Sequence, residues 1–128
     1  MKNNLNKIKK IAKDVYKSLG SGYDEKVYDK AMQVGLQYAN IKYDTQKVVG
    51  LTYKNRHVGE GYPDLIVYNG KNKAVVELKA TGSEMGPAEE RQLKNYLKIL
   101  KIKHGLLINF QQPTKKGKTQ LEVKEIKI

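Results

Sequence analysis

The chain has 128 residues, with 25 Lys and Arg against 13 Asp and Glu, a formal net charge of +12 and no cysteine. That length suits one ordinary domain with its own core, and the missing Cys excludes disulfides, thiolate zinc sites and cysteine nucleophiles. Mean hydropathy is −0.67, no apolar run nears the roughly 20 residues of a membrane helix, and the opening MKNNLNKIKK lacks a signal-peptide core. The expectation is an intracellular protein, not secreted and with no transmembrane segment.

Residues 5–19 place Leu5, Ile8, Ile11, Ala12, Val15, Tyr16 and Leu19 at helical spacing, with Lys7, Lys10, Lys13 and Lys17 on the other face. Gly20-Ser21-Gly22 stops this helix, and a second runs from about Asp24 to Ala39, with Gly35 a weak point inside it. From Ile41 the period changes to two. Val48–Tyr53, His57–Tyr68 and Lys73–Ala80 read as three strands, the first pair turning at Lys54-Asn55. Gly86-Pro87 opens a third helix, reaching about Lys101, with Glu89 and Glu90 at its positive end. Gly105–Phe110 reads as a buried strand, and 119–128 as a lysine-rich edge strand. The order α-α-β-β-β-α-β-β predicts a mixed α/β sandwich.

Charge is uneven along this order. Residues 1–20 are net +5 and 91–128 net +8, while 21–90 are net −1 and hold most of the carboxylates. Basic flanks around an acidic centre suit a polyanion held against a metal site, and equally a merely soluble lysine-rich surface.

The hairpin 62–80 decides more. With a four-residue loop 69–72, Asp64 lies opposite Glu77; with a two-residue turn at Asn69-Gly70 the two are diagonal but still share a face. One face then reads Pro63, Leu65, Val67, Ala74, Val76, Leu78 and Ala80; the other carries Asp64, Glu77 and Lys79. Two buried carboxylates side by side repel, and a divalent cation removes the conflict; oxygen ligands suit Mg²⁺ or Mn²⁺ rather than zinc. Lys79 could orient water and stabilise charge developing on a phosphate. The plainer alternative is a salt-bridged rim. His57 and His104 match no ligand spacing.

Pro63-Asp64 followed by Glu77-Leu78-Lys79 resembles the signature of the PD-(D/E)XK nuclease superfamily. Gly22-Tyr23-Asp24-Glu25-Lys26-Val27-Tyr28 is similar to the pattern of the GxxExxY protein family, and Gln92-Leu93-Lys94-Asn95-Tyr96 to the Q-x-x-x-Y motif of RecB-like nucleases. The segments 59–62 and 105–110 also resemble that family. The resemblance covers roughly residues 5–112, leaving 113–128 as a basic extension of a single 1–128 domain. It implies an αβββαβ core, a mixed central sheet flanked by helices, here with an extra N-terminal helix and a C-terminal edge strand.

The activity implied is Mg²⁺-dependent (or Mn²⁺-dependent) hydrolysis of DNA phosphodiesters. By the resemblance, Asp64, Glu77 and the carbonyl of Leu78 are metal ligands and Lys79 is the catalytic lysine. Glu25 is the acid facing the metal from a preceding helix, unless it only serves a first turn capped by Gly22 or Ser21. Gln92 and Tyr96, at i and i+4, would orient the Lys79 region or touch the scissile strand. Tyr28 packs to hold Glu25. From the basic flanks, Lys94, Lys98, Lys101, Lys7, Lys10, Lys13, Lys17, Lys115, Lys116 and Lys118 are the expected phosphate contacts. DNA is the partner, a homodimer is left open, and no membrane is involved. A non-catalytic, basic DNA-binding protein on the same fold, structural or accessory and of viral or cellular origin, is the alternative.

Overall fold

The computed structural model describes residues 2–114 and 119–128, with side-chain surroundings from residue 4 onward. Two helices come first, α1 (Lys2–Leu19) and α2 (Glu25–Tyr38), followed by β1 (Tyr43–Thr45) and the pair β2 (Val49–Tyr53) and β3 (Arg56–Gly61). Then come β4 (Leu65–Asn69), β5 (Asn72–Lys79), α3 (Pro87–Leu100), β6 (His104–Phe110) and β7 (Leu121–Lys127). Five strands form one sheet in the order β1-β4-β5-β6-β7, and β2-β3 is a separate two-stranded ribbon. Only β5 and β6 are parallel, joined across α3; the other neighbours are antiparallel. This is the mixed α/β architecture of the PD-(D/E)XK fold that the sequence implies, with its additional N-terminal helix and C-terminal edge strand.

The sheet is apolar on both faces because helices cover both. Leu65, Val67, Val76 and Leu78 meet Ile8, Ala12, Tyr28, Met32 and Leu36 from α1 and α2. On the opposite face Ile66, Val75 and Leu107 meet Leu93 and Leu97 from α3. Gly35 is explained by contact: a Cβ there would lie 2.4 Å from Ile11 Cγ2, so the glycine lets α1 and α2 approach closely.

Three details correct the sequence reading. The run His57–Tyr68 is not one strand. It breaks at Tyr62-Pro63-Asp64, so β3 belongs to the ribbon and β4 to the sheet; proline, with no N–H to give a ladder, marks the corner. A short strand, β1, pairs with β4 where only a change of period was read. The cap of α2 is Asp24, whose side chain accepts from Val27 N at 3.4 Å, rather than Gly22 or Ser21. The turn at Lys54-Asn55 is present, both residues having positive φ (48° and 64°) as a tight hairpin with right-handed strand twist requires.

Candidate metal and nuclease site

The β4–β5 register pairs Leu65 with Val76 and Asn69 with Asn72. The turn is therefore Gly70-Lys71, and the register is the one the four-residue-loop reading gives. Extended by one residue past Leu65, it sets Asp64 opposite Glu77. The two are cross-linked through the backbone: Asp64 N–H donates to Glu77 Oε1 at 3.1 Å, and Leu78 N–H donates to Asp64 Oδ2 at 2.7 Å. Glu77 is only 5% exposed, and Asp64 is half-buried.

Such a pair cannot hold two charges cheaply. Burial pushes the Asp64 carboxyl up to about 6, against the Leu78 N–H; Asp29 and Glu25 add to the rise. Burial and the Asp64 charge push Glu77 up to about 8, against the Asp64 N–H that it accepts. Near neutrality the metal-free pair keeps a proton between its members. Lys79, two residues on and half-buried, draws both carboxyls partly back down by its charge.

A divalent cation fits this donor set, because it would take the place of the shared proton. Mg²⁺ ordinarily uses one or two carboxylates and fills its remaining positions with water and substrate oxygens. Asp64 and Glu77 are two carboxylates placed to serve. Among the described residues no group of three or more His, Asp or Glu side chains converges to hold a metal. Glu25 is exposed at the first turn of α2 and reaches Asp64 through its field rather than by joining a compact triad.

Asp29, one turn further along α2, raises Asp64 more than Glu25 does. The i,i+4 spacing from Glu25 was the available signal for it. The N-terminus of α2 is held by a residue outside the motifs. Gln112 accepts from Gly22 N–H at 2.7 Å and donates to the Tyr28 hydroxyl at 3.2 Å, while that hydroxyl donates to the Gly20 carbonyl at 2.7 Å. Tyr28 is fully buried, stacked on Phe110 with ring centroids 4.5 Å apart. It is a core residue, one turn after the exposed Glu25.

Beyond Lys79 the chain turns toward α3 and is clamped. Asn109, paired with Lys79 across β5–β6 and fully buried, donates to the carbonyls of Thr81 and Ser83 at 3.3 and 3.1 Å. Its Oδ1 accepts from Thr81 N–H at 3.0 Å. Glu122 on β7 accepts from Asn109 and from Met85 N–H, both at 3.2 Å. Glu122 lies past the segment that carries the resemblance, and nothing local in the sequence marks it.

Tyr96 lies against the corner that presents Asp64. A Cβ on Gly61 would come within 2.5 Å of Tyr96 Cε1, so this glycine is a contact requirement. Burial, and then the Glu77 charge, raise the Tyr96 hydroxyl above its ordinary value. Gln92 is exposed and donates weakly to Tyr96 OH at 3.5 Å. Both therefore sit on the Asp64–Glu77 side of the sheet.

The lysines do not form one stripe. Lys7, Lys10, Lys13 and Lys17 are exposed on α1, and Lys94, Lys98 and Lys101 on α3, but the two helices cover opposite faces of the sheet. Lys101 shares a cleft with Lys71, Lys73 and Lys103, at the turn end of the hairpin and away from Asp64. Lys115, Lys116 and Lys118 lie outside the described residues.

A family model described as the PD-(D/E)XK nuclease superfamily matches residues 2–123. The chain belongs to the PD-(D/E)XK nuclease superfamily. Among curated proteins none matches. A solved structure titled "Crystal structure of SSO0001" superposes with a TM-score of 0.58 at 17% identity, over 80% of this chain and 48% of that one. At that identity the likeness concerns the fold, and the chain spans about half the length of that structure. Membership of the superfamily points to nuclease chemistry, a nucleic-acid substrate and a divalent metal. No helix among the described residues is long and apolar enough to cross a membrane.

Proposed function

We propose that this PD-(D/E)XK protein is a DNA nuclease of the GxxExxY branch that uses Mg²⁺ or Mn²⁺. The observation that carries the reading is the opposed pair Asp64 and Glu77, tied together through the Asp64 and Leu78 N–H groups, with Lys79 on the same strand face. Asp64, Glu77 and the Leu78 carbonyl would hold the cation, and Glu25 would add negative charge from α2. When bound, the cation supplies Lewis-acid stabilisation and lowers the pKa of attacking water. Lys79 orients that water and donates to the phosphate oxygen on which charge develops. Gln92 and Tyr96 steady the corner beside the scissile strand, and exposed lysines of α3, on the same side of the sheet, hold neighbouring phosphates.

The test is incubation with plasmid, short duplex, single-stranded and branched DNA, with and without Mg²⁺ or Mn²⁺. Metal-dependent cleavage that Lys79→Ala abolishes supports the reading. Salt-sensitive binding with no cleavage under any metal would favour a non-catalytic DNA-binding protein on the same fold.

A further inference from the structure

The ribbon β2–β3 is not part of the sheet, and its outer half buries little. Tyr53 is 64% and Val58 63% exposed, large apolar groups that no core explains. An isolated two-stranded hairpin is marginally stable in water, so a ribbon held out from the body needs an anchor. That anchor is at its root, where Val49 is buried and Gly61 lies under Tyr96.

Both legs of the ribbon start at the candidate metal site. Gln46, three residues before β2, donates its N–H to the Asp64 carbonyl at 3.2 Å, and β3 ends three residues before Asp64. The ribbon is therefore an arm aimed from the scissile region. His57 and Gly59 pair with the adjacent residues Thr52 and Leu51, which leaves Val58 as the extra residue of a bulge, and bulges re-aim a strand and tighten its twist.

The tip is basic. Lys54 and Arg56 flank Asn55 there with no acid beside them, Glu60 lying nearer the root against His57 at 3.6 Å, and Arg56 is one of only two arginines in the chain. The Lys54 ammonium stands 5.4 Å from the Tyr53 ring centroid. A two-stranded β-ribbon fits the B-DNA major groove, roughly 12 Å wide, and arginine is the side chain suited to bidentate contact with guanine there. Five residue pairs at about 3.4 Å each span roughly five base-pair steps. The narrow major groove of A-form RNA does not admit such an element.

We propose that the β2–β3 ribbon is a duplex-DNA-reading arm that enters the major groove about half a helical turn from the scissile phosphate, with Lys54 and Arg56 on DNA and Tyr53 and Val58 against groove walls. The inference rests on the nuclease reading and selects B-form duplex DNA as its substrate class.

The test compares wild type with a Lys54→Gln/Arg56→Gln double variant and with Tyr53→Ser. Binding is measured in EDTA to a 24-base-pair DNA duplex, the same duplex in RNA, and single-stranded DNA. The double variant should bind duplex DNA at least about tenfold more weakly and lower the salt slope by about one, the share of a Lys54 phosphate contact. Its single-strand affinity should stay within twofold of wild type. Methylating guanine N7 should weaken wild-type binding and have no further effect on the variant. Unchanged duplex affinity in a variant with wild-type Tm, or an equal loss on single strands, overturns the proposal while leaving the nuclease reading standing. So does a fall in sedimentation mass, which would make the ribbon a contact between copies. Absence of all nucleic-acid binding by wild type removes both readings together.

Discussion

Replacing Glu77 by Gln tests the electrostatic basis of the site without needing a substrate. Glu77 is raised from 4.5 to about 8 by burial and by Asp64. A carboxyl whose folded value lies above its unfolded one stabilises the fold at low pH and loses that contribution as pH rises through the folded value. The window is therefore pH 4.5 to about 8. Because Asp64 and Glu77 share one proton, the displacement belongs to the pair, and it corresponds to a few kcal/mol of destabilisation once the pH exceeds about 8. Gln keeps an oxygen to accept the Asp64 N–H and can donate to the Asp64 carboxylate, so it removes the charge without orphaning its neighbours. Some attraction to Lys79 is lost with the charge, leaving a net gain of roughly 2–4 kcal/mol, or about 5–15 °C in Tm for a chain this size.

Thermal unfolding in EDTA should then show Glu77→Gln well above wild type at pH 8.5 and level with it at pH 4.5. Added Mn²⁺ should raise wild type by mass action, about 2.7 kcal/mol at a hundred times Kd, and leave the variant nearly unmoved. Equal pH dependence for the two proteins, or an equal response to Mn²⁺, would refute the account of Glu77 as a buried, repelled carboxyl that a cation relieves.

Lys79→Ala should lower cleavage at least about a hundredfold while DNA affinity moves little, read from single-turnover rates and anisotropy side by side. Glu25→Gln and Asp29→Asn should each weaken the Mn²⁺-induced Tm rise, Asp29→Asn by more, since Asp29 raises Asp64 more strongly; full cleavage in Glu25→Gln would return that residue to an ordinary first-turn acid. Gly61→Ala drives a methyl into the Tyr96 ring and should cost about 1–3 kcal/mol, measured by urea unfolding. Replacing Lys94 and Lys98 with Gln should lower the slope of log K against log salt by about two; an unchanged slope would move the phosphate track off α3.

Features set by short-range periodicity were legible without coordinates. The apolar stripe of α1, the helix of α3 opened by Pro87, and the shared strand face of Asp64, Glu77 and Lys79 all follow from spacings of 3.6 or two within one segment. The Pro63-Asp64 and Glu77-Leu78-Lys79 signature added the superfamily and with it the mixed sheet flanked by helices. Tertiary structure decided the rest, because the deciding contacts join residues far apart in the chain. Period two runs on through Tyr62 into β4, and Pro63 is the local mark of the break; that the chain leaves the ribbon there for the sheet is fixed by Tyr96 lying on Gly61. Three residues of β1 are too few for a periodic signal, and they pair only because β4 exposes an edge. Glu122 reaches Met85 and Asn109 through the pairing of β7 with β6. The lysines of α1 and α3 look like one basic system in sequence, yet apolar surface on both faces of the sheet draws the two helices to opposite sides. Which charges can meet one DNA is thus settled by burial of the residues between them, not by the charges themselves.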